Sequence, residues 1–339
     1  MKLHLQPYSL RLHTPISLGG WKLNERAGVL ARVETKSGAV GWGDAAPLPG
    51  FSRESLEEVH AELTALVVDC EPRSVLELRA WSESIKNLTP SSRFAVESAV
   101  VSASAAEAEK SVSEWLFGGT ADTCEVNGLI VEAPELWAER TRALASEGFS
   151  VVKIKVGRFP SAHELAGLRA AVAAAPDVRF RLDANRAWIS LTARAFATEI
   201  VGLPVEYIEE PFEGGHGIPR GWPEGVSIAW DETLQEGVDL MSAHPPVRTW
   251  VVKPTLLGGI VRCLALVERA KEIGGQVVFS SAYESGVGVR MLAELAAGTG
   301  GVAGLDAYRA LAEDVLEPQL KISGGRLDLT AARRSVVKQ

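Results

Sequence analysis

The chain has 339 residues, of which 46% are hydrophobic and 23% are charged, as is usual for a globular protein of one or two domains. Its formal net charge of −8, with no basic cluster, argues against a nucleic-acid or anionic-membrane partner, and no apolar stretch is long enough to predict a membrane span. Three dispersed cysteines without CxxC or Cys/His spacing argue against a zinc site and a disulfide framework, and are typical of a reducing cytoplasm.

The first part of the chain mixes strands and helices without a regular repeat. The segments LHLQPYSLRLHT and AGVLARVETKSGAVGWGDA predict antiparallel strands. The second segment contains two strands, joined by a turn at Lys36-Ser37-Gly38. SRESLEEVHAELTALVVD predicts a helix capped by Ser52, and SRFAVESAVVSASAAEAEK predicts a second, alanine-rich helix. The N-terminal segment lacks a long apolar core, so we expect a strand there and not a signal peptide. Residues 1–118 are therefore expected to form an α+β domain.

From about residue 123, short apolar runs alternate with helical stretches, in the order TCEVNGLI, SVVKIKVG, VRFRLDAN, VEYIEEP, VSIAWDE, TWVVKPT, QVVFSSAYE and GVAGLDAY. This alternation predicts parallel βαβ units, and about eight of them predict a (β/α) barrel over residues 119–311. The competing doubly wound sheet usually has a Gly-rich turn after its first strand, and NGLIVEAPE has none. Residues 312–339 contain strand-like pieces that we expect to return to the N-terminal domain.

Polar side chains stand at the C-terminal ends of these strands, where barrels build their active sites. They are Lys153, Lys155, Asp183, Glu209 or Glu210, Asp231, Lys253, Ser280, Ser281 and Glu284. Because strand residues alternate between faces, Arg181 shares a face with Asp183, and Ala229 shares a face with Asp231. The bulky residues between them should meet the helices, so the polar faces are expected to point into the barrel.

Each of these residues alone has an ordinary structural explanation, since an Asp after a strand is often a helix N-cap. Together, three carboxylates suit an octahedral Mg²⁺ ion, and because the nearest histidine is His216, zinc and iron are disfavoured. A bound Mg²⁺ could stabilise an enediolate formed by loss of a proton α to a carboxylate. Lys155 is the expected base, its pKa lowered by Lys153 and by the cation.

The motifs KIK, DAN, EEP, DE and VVKP, in that order over about a hundred residues, resemble the enolase superfamily in its muconate-lactonising-enzyme-like branch. Within that branch, GWGDAAPLPGFSRESLEE and VVFSSAYESGVG resemble the o-succinylbenzoate synthase family. The resemblance covers nearly the whole chain. It implies an α/β fold: a modified (β/α)7β TIM-like barrel with an N-terminal α+β capping domain.

The resemblance also implies roles for individual residues. It implies metal ligation by Asp183, Glu209 and Asp231, acid/base chemistry at Lys155 beside Lys153, an opposing Lys253, and substrate binding by Arg181, Ser280 and Ser281. Residues 17–28 match a loop that closes the site. The implied cofactor is Mg²⁺, with Mn²⁺ as a substitute, and the implied partner is a small-molecule carboxylate.

The reaction implied by the resemblance is a lyase step of menaquinone biosynthesis, the syn dehydration of 2-succinyl-6-hydroxy-2,4-cyclohexadiene-1-carboxylate. N-succinylamino acid racemases and dipeptide epimerases share this machinery and remain alternatives, although Asp306-Ala307-Tyr308 departs from the Asp-x-Asp typical of the epimerases. A Schiff-base aldolase would not need three carboxylates, and a non-catalytic scaffold should have lost some of these groups. The oligomeric state stays open.

Overall fold

An antiparallel sheet of three strands opens the chain, in a computed structural model that describes residues 1–18, 20–214, 218–237 and 246–338. Its strands, in spatial order, are β1 (Lys2–Leu18), β2 (Trp21–Glu34) and β3 (Val40–Ala45). The predicted turn at Gly38 joins β2 to β3 and is confirmed. Four helices follow: α1 (Leu56–Ala65), α2 (Val75–Ser82), α3 (Pro90–Glu107) and α4 (Val112–Phe117).

Two glycines of the GWGDA motif explain how α3 lies directly on β3. A Cβ atom at Gly41 would lie 2.0 Å from the Ala99 carbonyl oxygen, and one at Gly43 would lie 1.8 Å from that of Ala95. Any side chain would therefore force the helix off the strand. The alanine-rich face of α3 completes this close packing, and α3 is almost entirely buried.

The predicted cap of the first helix is wrong by three residues. Helix α1 begins after Ser55, whose side chain accepts from the Glu58 backbone N–H while Glu58 bonds back to the Ser55 N–H. This is a complete capping box. Ser52 instead accepts a hydrogen bond from the Leu48 N–H at 2.8 Å and closes the preceding turn.

A curled sheet of seven parallel strands forms the second unit and confirms the predicted barrel. In spatial order and in chain order its strands are β5 (Gly128–Ile130), β6 (Val151–Lys155), β7 (Arg179–Asp183), β8 (Val205–Glu209), β9 (Ile228–Trp230), β10 (Val247–Val252) and β11 (Gln276–Phe279). The connecting helices are α5 (Trp137–Ser146), α6 (Ser161–Ala174), α7 (Ser190–Glu199), α8 (Pro254–Leu257), α9 (Ile260–Glu272) and α10 (Gly286–Thr299). Among the described residues, no helix combines the length and apolar character needed to cross a membrane.

The two ends of this sheet are joined by the segment around Ala303 and Gly304. Ala303 bridges in parallel to Val126, next to β5, and Gly304 bridges in parallel to Ser280, at the end of β11. This segment therefore takes the place of the eighth strand predicted from GVAGLDAY. The first predicted strand, TCEVNGLI, is divided into β5 and β4 (Thr123–Glu125), and β4 lies outside the barrel sheet.

The alternation of faces predicted from the sequence is confirmed inside the barrel. Tyr207, Ala229 and Val251 pack together with Val278 as a small separate core. The intervening large residues, such as Trp230, belong to the main core between strands and helices. The inward face of each strand thus leads up to the polar residue at its C-terminal end.

The C-terminal segment contacts both units. Its elements are β12 (Leu316–Glu317), β13 (Ile322–Ser323), β14 (Arg326–Asp328), α11 (Leu329–Arg334) and β15 (Val336–Val337). Strand β14 pairs antiparallel with β4, at the start of the barrel unit. On the other side, Arg11 of β1 forms an ion pair with Glu313 at 3.1 Å.

Candidate active site

Three strand ends place charged side chains at the same level of the barrel. In the parallel register, Lys155 of β6 lies opposite Asp183 of β7, and Asp183 lies opposite Glu209 of β8. Asp231 follows the end of β9, and Lys253 follows the end of β10. The predicted lysines and carboxylates are therefore brought together at one end of the barrel.

Lys153 is held between two carboxylates. Its Nζ lies 2.8 Å from Asp183 Oδ2 and 2.8 Å from both carboxylate oxygens of Glu209. Burial alone would lower the pKa of Lys153, but Asp183 and Glu209 raise that pKa well above its usual value. The ion pairs with Asp183 and Glu209 therefore explain how the charged Lys153 can be accommodated in the barrel interior.

Lys155 is less enclosed than Lys153 and faces the cavity. Its Nζ donates to Asp183 Oδ2 at 2.6 Å and to Asn185 Oδ1 at 2.7 Å. The Asn185 backbone N–H also donates to Asp183, at 3.1 Å. Both lysines of KIK therefore contact the same Asp183 oxygen, which is the arrangement that their spacing on one strand face permits.

Lys253 stands on the far side of the cluster and forms an ion pair with Asp231. Burial would lower the pKa of Lys253, but Asp231 and Glu232 raise it above its usual value. Since β6 and β10 are separated by three strands, Lys155 and Lys253 approach the space between them from different sides. This opposition is what the resemblance implied.

The three carboxylates differ in their ease of ionisation although all are buried. Burial raises the pKa of Asp183, but Lys153 and Lys155 outweigh burial and leave that pKa well below its usual range. Burial and the nearby Asp183 charge raise the pKa of Glu209, and burial raises that of Asp231 despite Lys253. A cation placed among these groups would favour the ionised form of each.

The chemistry of the donor set fits a hard divalent cation, although its geometry here is one of ion pairs. In the described part of the chain, no cluster of His, Cys, Asp and Glu has its donors spaced to hold a metal ion, and lysines contact Asp183, Glu209 and Asp231. Next to Asp231, Glu232 Oε2 is buried with no hydrogen-bond partner, and burial raises the Glu232 pKa. Carboxylate oxygens in this number, one of them unpartnered, are suited to Mg²⁺.

Glu210 and Glu284, also considered from the sequence, are occupied by structural contacts. Glu210 accepts hydrogen bonds from the backbone N–H groups of Asp231 and Thr233, both at 2.8 Å, and pairs with Arg186. Glu284 accepts from the Thr255 hydroxyl at 2.6 Å. Of the two glutamates of EEP, the structure therefore favours Glu209 as the one that faces the site.

A cavity of about 1120 Å³ opens above this cluster. Ser280 and Ser281 line it, as do Leu48, Phe51 and Ser17 from the N-terminal unit. The prediction of a loop over residues 17–28 is wrong for the described part of that segment, because Ser17 lies in β1 and residues 21–28 lie in β2. Ser280 Oγ donates to the Gly304 carbonyl at 3.2 Å, whereas Ser281 Oγ is buried without a partner. Neither serine caps α10, whose N-cap is Ser285. Of the two hydroxyls, that of Ser281 is the one without a hydrogen-bond partner.

Comparisons with known proteins assign the chain to a family. Residues 136–333 match the family model described as "Enolase C-terminal domain-like", and residues 1–103 match "MenC, N-terminal domain". The o-succinylbenzoate synthase of Yersinia enterocolitica is 32% identical over 299 residues, covering 86% of this chain and 85% of that protein. The o-succinylbenzoate synthase of Vibrio cholerae is 32% identical over 300 residues, covering 86% and 84%. The chain belongs to the o-succinylbenzoate synthase family of the enolase superfamily.

Membership of this family confirms the predicted fold and the predicted lyase class. Enolase-superfamily members generally use Mg²⁺, as the donor chemistry indicates. Solved structures add the fold alone: the L-Ala-D/L-Glu epimerase of Bacillus subtilis has a TM-score of 0.81 at 23% identity, covering 97% of this chain and 95% of that one. A dipeptide epimerase of Methylococcus capsulatus has a TM-score of 0.82 at 22% identity, covering 97% and 96%.

Arg181, predicted to bind substrate, lies below the cluster and does not line the cavity. Its Nε donates to Glu206 at 2.6 Å, and its Nη1 donates to Asn127 Oδ1 at 3.0 Å and to the Val302 carbonyl at 2.9 Å. The guanidinium also lies 5.4 Å from the centre of the Tyr207 ring. In this family member, the placement favours support of the barrel interior over direct contact with substrate.

We expect Arg181→Met to lower the free energy of unfolding by about 3 kcal/mol, because Glu206 keeps only the exposed Arg179 as an ion-pair partner and the buried Asn127 Oδ1 loses its donor. Urea denaturation measures this loss. Arg169→Met, which removes an exposed ion pair with Glu199, is the control and should cost less than about 1 kcal/mol. Unchanged stability of Arg181→Met with a large rise in KM would instead make Arg181 a direct substrate ligand.

Two residues of this site were missed although their motifs were recognised. Asn185 is the last residue of DAN and receives the Lys155 hydrogen bond, and Glu232 is the second residue of DE. Each directly follows or nearly follows a predicted ligand, so the motif itself carried the signal. His216, weighed above as the nearest histidine, lies outside the described residues.

Proposed function

We propose that this chain dehydrates 2-succinyl-6-hydroxy-2,4-cyclohexadiene-1-carboxylate to o-succinylbenzoate, the lyase step that its family performs in menaquinone biosynthesis. The observation that carries the proposal is the pair of lysines, Lys155 and Lys253, which approach one cavity from different sides beside three buried carboxylates. Such a site can remove a proton α to a carboxylate and balance the negative charge that forms.

Asp183, Glu209 and Asp231 are the proposed ligands of Mg²⁺, or of Mn²⁺ in its place. When bound, the ion supplies Lewis-acid charge next to the substrate carboxylate. Lys153 and Lys253 contact carboxylate oxygens of this ligand set and would share them with the ion. Lys153 keeps the role of a fixed positive charge beside Lys155.

Lys155 is the proposed acid and base. In its neutral form it takes the α-proton from the substrate, and as an ammonium it gives that proton to the departing hydroxyl, so that water leaves and the ring becomes aromatic. One residue on one face serves both steps of a syn elimination. Asn185 holds the Lys155 side chain through its amide oxygen.

Lys253 is proposed to remain an ammonium and to stabilise negative charge on the substrate without moving a proton. Its raised pKa supports this division of roles. A racemase would need both lysines as bases. The dipeptide epimerase alternative is weakened further because Tyr308, at the second Asp position of that motif, is buried and donates to Asp314 at 2.6 Å.

Ser280 and Ser281 are proposed to bind the substrate through their hydroxyl groups. Residues 17–28 are proposed to close the site. We keep the division into a capping domain (1–118), a catalytic barrel (119–311) and a C-terminal segment (312–339) as a proposal. The three free cysteines support a cytoplasmic location.

A direct comparison of substrates tests the proposed function. Purified protein with Mg²⁺ is given the cyclohexadiene carboxylate and, separately, an N-succinylamino acid in D₂O, with product formation and α-deuterium uptake measured by mass spectrometry. We expect kcat/KM for dehydration to exceed that for exchange by at least about 100-fold, about 3 kcal/mol in transition-state binding. The reverse ratio would make racemisation the main activity.

Mg²⁺ binding should weaken as the pH falls below neutrality. Because burial raises the pKa values of Glu209 and Asp231, protons compete with the ion at a higher pH than for ordinary carboxylates. The expected change is about tenfold in affinity per pH unit for each proton displaced. Calorimetric titrations between about pH 8 and about pH 5.5 measure it, and an affinity that stays constant over this range would contradict the assignment.

A further inference from the structure

The cavity extends from the lysine–carboxylate cluster to an outer part that contains three arginines. Arg140, Arg158 and Arg309 line it together with Lys155. Arg158 follows Lys155 by three residues, so the chain between them spans at most about 11 Å. Arg158 therefore lies within reach of a second group on the same substrate molecule.

Two of these arginines are already neutralised by carboxylates. Arg140 lies 2.7 Å from Glu132, and Arg309 lies 3.2 Å from Glu147. Arg158 differs, because among the described residues no carboxylate lies within ion-pair distance of it. Its Nη1 donates to the Val131 carbonyl at 2.6 Å, which orients the guanidinium and leaves its other N–H groups available.

The backbone that carries Arg158 is held firmly in place. The N–H groups of Gly157, Arg158 and Phe159 donate to the carboxylate of Glu164, at 2.9, 2.9 and 3.1 Å. Glu164 is fully buried in the first turn of α6. Three hydrogen bonds to one buried carboxylate make Arg158 a preorganised charge at the rim of the site, which lowers the entropic cost of binding.

We propose that Arg158 binds the terminal carboxylate of the succinyl chain. This rests on the proposed function, because that substrate carries one carboxylate on its ring and a second on the succinyl group. With the ring carboxylate among the lysines, the second must find a partner away from them. A guanidinium with free parallel N–H groups suits a carboxylate, which it can bind in a bidentate manner.

The test combines steady-state kinetics with binding of the product, o-succinylbenzoate, by calorimetry. For Arg158→Gln we expect KM and the product Kd to rise about 10- to 100-fold, with kcat changed less than about threefold. Arg140→Gln is the matched control and should change either constant less than about threefold, because its charge is already paired. Arg158→Lys should recover part of the loss.

A product analogue with the succinyl carboxylate converted to an amide completes the design. Wild-type protein should bind it as weakly as Arg158→Gln binds the natural product, and Arg158→Gln should lose nothing further. Normal turnover with an unchanged KM and product Kd in Arg158→Gln would overturn this inference and leave the proposed function standing. If wild-type protein fails to turn over the diene but its product binding still depends on Arg158, the function fails and the subsite is supported.

Discussion

Lys155→Ala should lower kcat for dehydration by about 10³-fold or more. Lys155 is the lysine whose Nζ faces the cavity from β6, held by Asp183 and Asn185, and it is proposed to carry the proton in both steps. Lys153, the other lysine of β6, contacts Asp183 but bonds to Glu209 instead of Asn185, and it is proposed only as a fixed charge that does not take over the proton transfer. The loss is measured as initial rates at saturating Mg²⁺ and substrate.

The same variant should still bind Mg²⁺. Lys153 remains within 2.8 Å of Asp183 and keeps that carboxylate ionised, so the ligand set survives the substitution. Lys271→Ala, at the exposed end of α9, is the control for effects of expression and purification, and it should be fully active. Turnover of Lys155→Ala within tenfold of wild type, with the metal bound, would remove Lys155 as the base.

Asp231→Asn should weaken Mg²⁺ binding by about tenfold or more, because it removes one of three anionic ligands and affinity for such ions depends on ligand charge. Asp231 is buried and contacts Lys253, so the substitution also leaves that ammonium without its carboxylate. Turnover at low Mg²⁺ should fall accordingly and recover in part when the metal concentration is raised. Calorimetric titration of the metal gives the affinity directly.

Asp306→Asn provides the matched control for this result. Asp306 lines the same cavity but accepts a hydrogen bond from the Leu129 N–H at 2.9 Å and lies outside the proposed ligand set. Its neutral variant should bind Mg²⁺ with unchanged affinity. If both variants lose the same amount, the effect reflects the charge of the cavity as a whole, and Asp231 would lose its assignment as a ligand.

The barrel, and the position of its charged residues at the C-terminal ends of the strands, could be predicted from the sequence because both depend on local periodicity. Strand residues alternate strictly, so Asp183 and Asp231 had to share their faces with Arg181 and Ala229, and the structure places Ala229 in the barrel interior. Parallel strands also end at one edge, which is why residues far apart in sequence could be expected to meet.

Contacts between distant segments could not be predicted in this way. Arg181 donates hydrogen bonds to Glu206 and Asn127, and no local sequence pattern indicates these partners. The same holds for Glu210, which accepts hydrogen bonds from the backbone of Asp231 and Thr233. The cap of α1, by contrast, had a local signature that the prediction overlooked, because Ser55 is followed three residues later by Glu58, whereas the residue three after Ser52 is another serine.

The most direct test of the account follows the loss of diene absorbance when purified protein is mixed with the cyclohexadiene carboxylate, first with Mg²⁺, then with EDTA, then with Mg²⁺ restored. We expect rapid loss of absorbance with Mg²⁺, none with EDTA, and recovery when the metal returns. Dehydration that continues unchanged in EDTA, or no dehydration by protein shown to hold Mg²⁺, would contradict it.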